Sequence, residues 1–159
     1  MRLNPYLSFD GQCEAAFKFY ERCLRGKIIM LVKYEDSPLA GQTPPQWHKR
    51  VLHATFSWGE HTLQGADALP KTYQKPQGFS VMLNIDSALE AERIFNALSA
   101  DGTVQIPLQE SFWAARRELA GLVRRLHGGG AGRDRAAEVS DWVLVNSRNC
   151  GFWITRNYK

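Results

Sequence analysis

The sequence predicts an α+β protein built from two consecutive βαβββ modules, and three observations carry that reading. Slid on itself by 76 positions, the chain aligns Phe9-Asp10 with Ile85-Asp86, Glu14-Ala15 with Glu90-Ala91, Phe19 with Phe95, Gly26 with Gly102 and Ile28 with Val104, without a gap. Two segments carry apolar residues at helical spacing, each preceded by a strand-like segment and followed by glycine. Between them, strand-like stretches alternate apolar and polar residues, the pattern of sheets with one buried and one half-polar face.

The elements follow in order. Leu3, Pro5, Leu7 and Phe9 alternate with Asn4, Tyr6 and Ser8 in an opening strand. Cys13, Ala16, Phe17, Tyr20 and Leu24 share one helical face, and Gly26 follows as a C-cap signal, so a helix is expected over 11–25. Strands are expected at 27–34, 50–58 and 61–66, the last two joined by the two-residue turn Gly59-Glu60. In the third strand Leu52, Ala54, Phe56 and Trp58 should pack under the helix, with Val51, His53, Thr55 and Ser57 on the other face.

The second copy opens with Phe79, Val81, Leu83 and Ile85 alternating with Ser80, Met82 and Asn84. A helix over 87–100 follows, with Ala91, Ile94, Phe95 and Leu98 as its stripe and Asp86 or Ser87 as N-cap. The chain thus reads as a single domain over 1–159: a first module at 1–66, a linker at 67–77, the start of a second module at 78–116, and an Arg/Gly-rich tail at 117–159.

That tail stands apart in composition. The net charge is +4, but residues 1–113 hold 11 Lys+Arg against 12 Asp+Glu, whereas 114–159 hold 9 against 4. Its arginines at 116, 117, 124, 125, 133 and 135 are interleaved with Ala, Leu and Gly, not with stacking aromatics, which disfavours a nucleic-acid partner. Leu119, Leu122, Val123 and Leu126 could lie on one side of a short helix over 117–127. Residues 142–146 and 151–155 could pair as a hairpin, and the glycine-rich 128–132 should be loop.

At 44% hydrophobic and 23% charged, the composition is that of a folded globular domain. The aliphatic run Ile28 to Val32 is far short of the ~20 residues of a membrane helix, so neither membrane association nor export is expected and the location is read as cytoplasmic. Cys13, Cys23 and Cys150 agree: the first two sit ~15 Å apart along one helix, too far for a disulfide.

Asn4-Pro5-Tyr6-Leu7-Ser8-Phe9, Cys13 to Tyr20, Leu52-His53-Ala54, Gly78-Phe79-Ser80-Val81, Glu90-Ala91-Glu92-Arg93 and Pro107 to Ala114 together resemble the PhnB-like branch of the vicinal oxygen chelate (glyoxalase/bleomycin resistance) superfamily, a branch also labelled demethylubiquinone methyltransferase-like. The resemblance covers residues 3 to about 116. It implies a curved mixed sheet around a cleft between the modules, a small-molecule ligand, and a homodimer. After Arg116 it stops. The last two strands of the second module have no clear counterpart, so that module reads as incomplete or divergent, through a replaced segment or a reading-frame change. The methyltransferase label finds no nucleotide-binding Gly-rich strand-to-helix turn to support it.

Metals in this superfamily are held in the cleft by His, Glu or Gln side chains on repeat-related strands. The opening strands here offer Asn4, Tyr6 and Ser8, then Ser80, Met82 and Asn84, so no metal site is assigned and no cofactor is firmly implied; a divalent metal remains the alternative. His53 is the best single candidate for a functional role, although a strand histidine bonded to a neighbouring backbone group or hydroxyl is the more common case. Glu110 could serve as base or ligand, Trp113 as core or ligand platform, and Trp47, after Pro44-Pro45, could lid the cleft or dock a second subunit. The ligand-binding set expected is Tyr6, His53, Thr55, Gln64, Ser80, Asn84, Glu110 and Trp113, with no catalytic residue assigned. Three functions follow: a small-molecule-binding protein; a metal-dependent lyase, isomerase or dioxygenase; or a non-functional frame-shifted relative.

Overall fold

The computed structural model describes residues 3–74, 80–100, 102–110, 119–127 and 139–147. The first unit runs β1 (Tyr6–Phe9), α1 (Cys13–Leu24), β2 (Lys27–Lys33), β3 (Val51–Trp58) and β4 (His61–Asp67), with three single 3-10 turns between β2 and β3. Its sheet has the order β1-β4-β3-β2, in which β1 runs parallel to β4 and the other pairs are antiparallel. The turn at Gly59-Glu60 forms as expected, Gly59 taking φ +58, which a residue without Cβ adopts at no steric cost.

Helix α1 lies on one face of this sheet and buries Cys13, Ala16, Phe17, Tyr20, Cys23 and Leu24 against Leu7, Phe9, Ala54 and Phe56. Phe17 meets Phe9 and Tyr20 edge to face, at centroid distances of 6.2 Å in both pairs. Gly26 takes no positive φ; the left-handed residue ending α1 is Arg25, at φ 56. Gly26 is needed for space, because a Cβ there would collide with the Phe56 ring and the Ser57 carbonyl.

The alternation in β3 is interrupted. A register shift between the pairs Val32/His53 and Lys33/Val51 leaves Leu52 as an extra residue. Val51 is therefore the fully buried residue and Leu52 only half-buried, the reverse of the simple two-residue pattern. Trp47 is also corrected: it is 7% exposed and packs edge-on against Tyr34, so its ring is core and not a lid.

The second unit runs β5 (Val81–Ile85), α2 (Ala88–Ser99), β6 (Gly102–Glu110), β7 (Leu119–His127) and β8 (Val139–Ser147), in the order β5-β8-β7-β6, with β5 parallel to β8. The expected helix over 117–127 is a strand instead, paired antiparallel to β6 through residues such as Gly102↔Arg125 and Val104↔Val123. An apolar run of that length satisfies either periodicity, and an available strand edge decides for β. Residues 119–127 and 139–147 thus supply both closing strands of the second sheet. The expected strand at 142–146 lies within β8, whereas 151–155 and the glycine-rich 128–132 lie outside the described residues.

Helix α2 buries Ala91, Ile94, Phe95 and Leu98, and its N-cap is Ser87, whose Oγ accepts the Glu90 amide at 3.4 Å. Cys13 and Ala88 open the two helices 75 positions apart, and the buried faces correspond at that offset: Ala16 with Ala91, Phe19 with Ile94, Tyr20 with Phe95, Cys23 with Leu98. The gapless offset of 76 is therefore one residue out over the helices. The first module carries one more residue between strand and helix, in a turn containing Gly11 at φ +87.

Candidate functional site

The face of the first sheet turned away from α1 is built by register. Tyr6 on β1 pairs with Gln64 on β4, Gln64 with Thr55 on β3, and Thr55 with Met30 on β2, so four side chains form one row across the sheet. His53 stands on the same face, two residues along β3 from Thr55. Tyr6 is 52% and Met30 51% exposed, while Thr55 between them is 7% exposed.

His53 is the hub of this row. Its Nδ1 lies 3.4 Å from the Tyr6 hydroxyl and its Nε2 lies 3.0 Å from Thr55 Oγ1. Both tautomers satisfy the chain: Tyr6 O–H can donate to Nδ1 while Nε2–H donates to Thr55, or every bond can reverse. The Tyr6 and His53 rings stand 5.9 Å apart and tilted by 35°. Partial burial pushes the Tyr6 phenol up, with smaller contributions from Cys13 and Tyr34. A protonated tyrosine hydroxyl, an imidazole, a threonine hydroxyl and a glutamine amide therefore converge on one surface.

Among the described residues no group of three or more His, Cys, Asp or Glu side chains comes together. On the open face the imidazole of His53 has both nitrogens beside hydroxyls, and no carboxylate from the first sheet faces it. His53 and its hydroxyl neighbours by themselves are not the several imidazole or carboxylate ligands that a divalent metal takes.

The remaining expected residues belong to the second unit. Ser80 lies just before β5 and Asn84 within it, both exposed; Met82 between them is 37% exposed. Glu110 ends β6, its side chain outside the described set, and Trp113 lies outside the described residues altogether. Sequence reading missed Met30, because a methionine in the apolar run Ile28 to Val32 carries no sign of which face it takes. The extra residue Ile29 in β2 determines that Met30 pairs with Thr55.

It also missed Asp67, which falls at the start of the expected linker but ends β4. Buried to 1% exposure, its carboxylate accepts the Cys13 amide at 2.9 Å and the Val51 amide at 2.8 Å. Gln12, at the N-cap of α1, makes no side-chain cap bond, so Asp67 caps the helix from another strand, where α2 uses its own Ser87. Desolvation raises the Asp67 carboxyl above the usual carboxylate range, against the lowering effect of the Val51 and Cys13 amides and of Arg50. Burial likewise pushes the Cys13 thiol up, with Asp67 adding to it, so this cysteine is an inert core residue.

A cavity of about 320 Å³ opens on the helix side, lined by Glu14, Lys18, Lys49, Arg50 and Asp67 among others. Its polar groups are largely committed to each other: Lys18 Nζ contacts Glu14 at 2.6 Å and Arg50 Nη1 donates to the Gly11 carbonyl at 2.6 Å. The open face, with its half-exposed Tyr6 and Met30, is the better candidate.

Comparison with known proteins agrees with this architecture. The profile of the family described as 3-demethylubiquinone-9 3-methyltransferase matches residues 1–122, and the chain belongs to that family. Its fold is that of the glyoxalase/bleomycin resistance superfamily. Protein YjdN of Escherichia coli is 28% identical over 122 residues, 72% of this chain and 83% of that protein. Protein PA1353 from Pseudomonas aeruginosa has a solved structure that superposes with a TM-score of 0.74 at 34% identity, over 92% of this chain and 97% of that one. A Bacillus cereus PhnB protein, described as a putative 3-demethylubiquinone-9 3-methyltransferase, superposes with a TM-score of 0.63 at 19% identity, over 90% and 98% of the two chains.

Proposed function

We propose that this chain is a cytoplasmic, homodimeric protein that binds a small organic molecule on the open sheet face, with Tyr6, His53, Thr55 and Gln64 as its contacts from the first module. The observation that carries the reading is the Tyr6–His53–Thr55 hydrogen-bond chain, which sets a half-exposed aromatic ring beside polar groups on the sheet face turned away from α1. Ser80, Asn84, Glu110 and Trp113 are the contacts expected from the second module. The family description names a methyltransferase, but nothing in the Tyr-His-Thr-Gln row supplies a methyl donor site, so the reading is binding without an assigned reaction. Among the described residues no helix is long and apolar enough to cross a membrane, and the buried thiols of Cys13 and Cys23 suit a reducing compartment.

The test is a fragment screen read by backbone and side-chain NMR. Binders should shift the resonances of Tyr6, His53, Thr55 and Gln64, and His53→Ala should weaken them. Binders that shift only Glu14, Lys18 and Lys49 would move the site to the helix side and overturn the reading.

A further inference from the structure

We infer that the ligand of the open face is an uncharged, flat, fused-ring aromatic molecule carrying a ring carbonyl, hydroxyl or nitrogen, an inference that rests on the function proposed above. Three observations support it. The row Tyr6–Gln64–Thr55–Met30 crosses the whole sheet, three interstrand spacings or ~14 Å. Its two ends are the soft, exposed surfaces, a tyrosine ring and a methionine thioether, each about half exposed. Its middle is polar and low, with Thr55 almost covered.

A flat ring system laid along that row would rest one end on Tyr6 and the other on the Met30 sulfur, a pairing favourable to π surfaces. The Gln64 amide, a donor and an acceptor, and the Thr55 hydroxyl then face the middle of the ring, where a ring heteroatom or carbonyl satisfies them. A saturated or branched ligand would leave one end of the row unfilled.

Charge completes the argument. Among the described residues, those that the register places on this face, besides Lys27, are Tyr6 and Ser8 on β1, Met30 and Val32 on β2, His53, Thr55 and Ser57 on β3, and Thr62, Gln64 and Ala66 on β4. None is Asp, Glu or Arg. Lys27, which pairs with Ser57 and so sits a full step beyond Thr55 at the corner of the sheet, is the single lysine. An ionic ligand would leave water without a counter-charge beside it on the row, an uncompensated cost.

The experiment compares acridone, uncharged and tricyclic, with acridine-9-carboxylate, an anion of similar shape, by titration of the full chain followed by NMR. Acridone should bind at least tenfold more tightly and shift Tyr6, Thr55 and Met30 together. Tyr6→Ser should weaken it roughly five- to tenfold, Met30→Glu should weaken it at least as much, and Lys27→Ala should change it less than twofold. Both weakening substitutions fall at half-exposed positions, and circular dichroism melts verify that they fold. If the carboxylate binds as tightly while shifting the same row, the ligand class is wrong and the site stands. If both compounds leave Tyr6, His53, Thr55 and Met30 unshifted, the ligand class is overturned; the fragment screen then decides separately whether the face binds anything at all.

Discussion

Replacing Asp67 tests the packing that holds the site strand in place. Its carboxylate is buried and accepts two backbone amides, one opening α1 and one opening β3, so Asp67→Ala strands both N–H groups away from water. Each buried, unsatisfied donor costs about 1–3 kcal/mol, partly offset by no longer burying a charge, for a net loss of about 3 kcal/mol. For a chain of this size that corresponds to roughly 6–12 °C in Tm. Asp67→Asn keeps one acceptor and should lose about half as much. The pH dependence is the sharper reading. Because desolvation raises the folded carboxyl, the native state holds its proton where the unfolded chain, at an ordinary pKa of about 3.9, has released it. The stability of the unmodified protein relative to Asp67→Asn should therefore be greatest below about pH 4, fall as pH rises toward the raised carboxyl value, and level off above it. Urea unfolding of both proteins across that range measures this. A difference that is flat with pH, or that grows as pH rises, would refute the assignment, and a loss under about 1 kcal/mol for Asp67→Ala would refute the shared cap.

Four further outcomes are expected. Gly26→Ala should destabilise by about 1–3 kcal/mol in thermal melts, because its Cβ would press on the Phe56 ring and the Ser57 carbonyl. Gln12→Met should be neutral or stabilising by up to about 1 kcal/mol, since the buried Gln12 Oε1 has no hydrogen-bond partner among the described residues. Elemental analysis of the purified protein should find well under one equivalent of Zn, Ni, Mn or Fe, and stoichiometric metal lost on His53→Ala would revive the metal-enzyme alternative. Light scattering should give the mass of a dimer, and a monomer at high concentration would refute the homodimer.

What the sequence determined by itself was the local periodic structure. The stripe from Cys13 to Leu24 and that from Ala91 to Leu98 define helices within one or two residues of their observed ends, because such a stripe has one way to be buried against a sheet. The alternation around Tyr6 and His53 likewise told which side chains leave the core, and so placed Tyr6, His53, Thr55 and Gln64 on one face. Where two periods fit equally, as over Leu119–His127, only the free edge of β6 decides for a strand. Where a single residue is inserted, at Gly11, Ile29 or Leu52, the pattern slips, and only pairing with a partner strand or packing of a helix reveals the slip. That is how Met30 enters the candidate site and Val51 the core. Asp67 is the extreme case: its role joins β4 to α1 and β3 across 54 and 16 positions of chain, and no local pattern records which distant amides a buried carboxylate will meet.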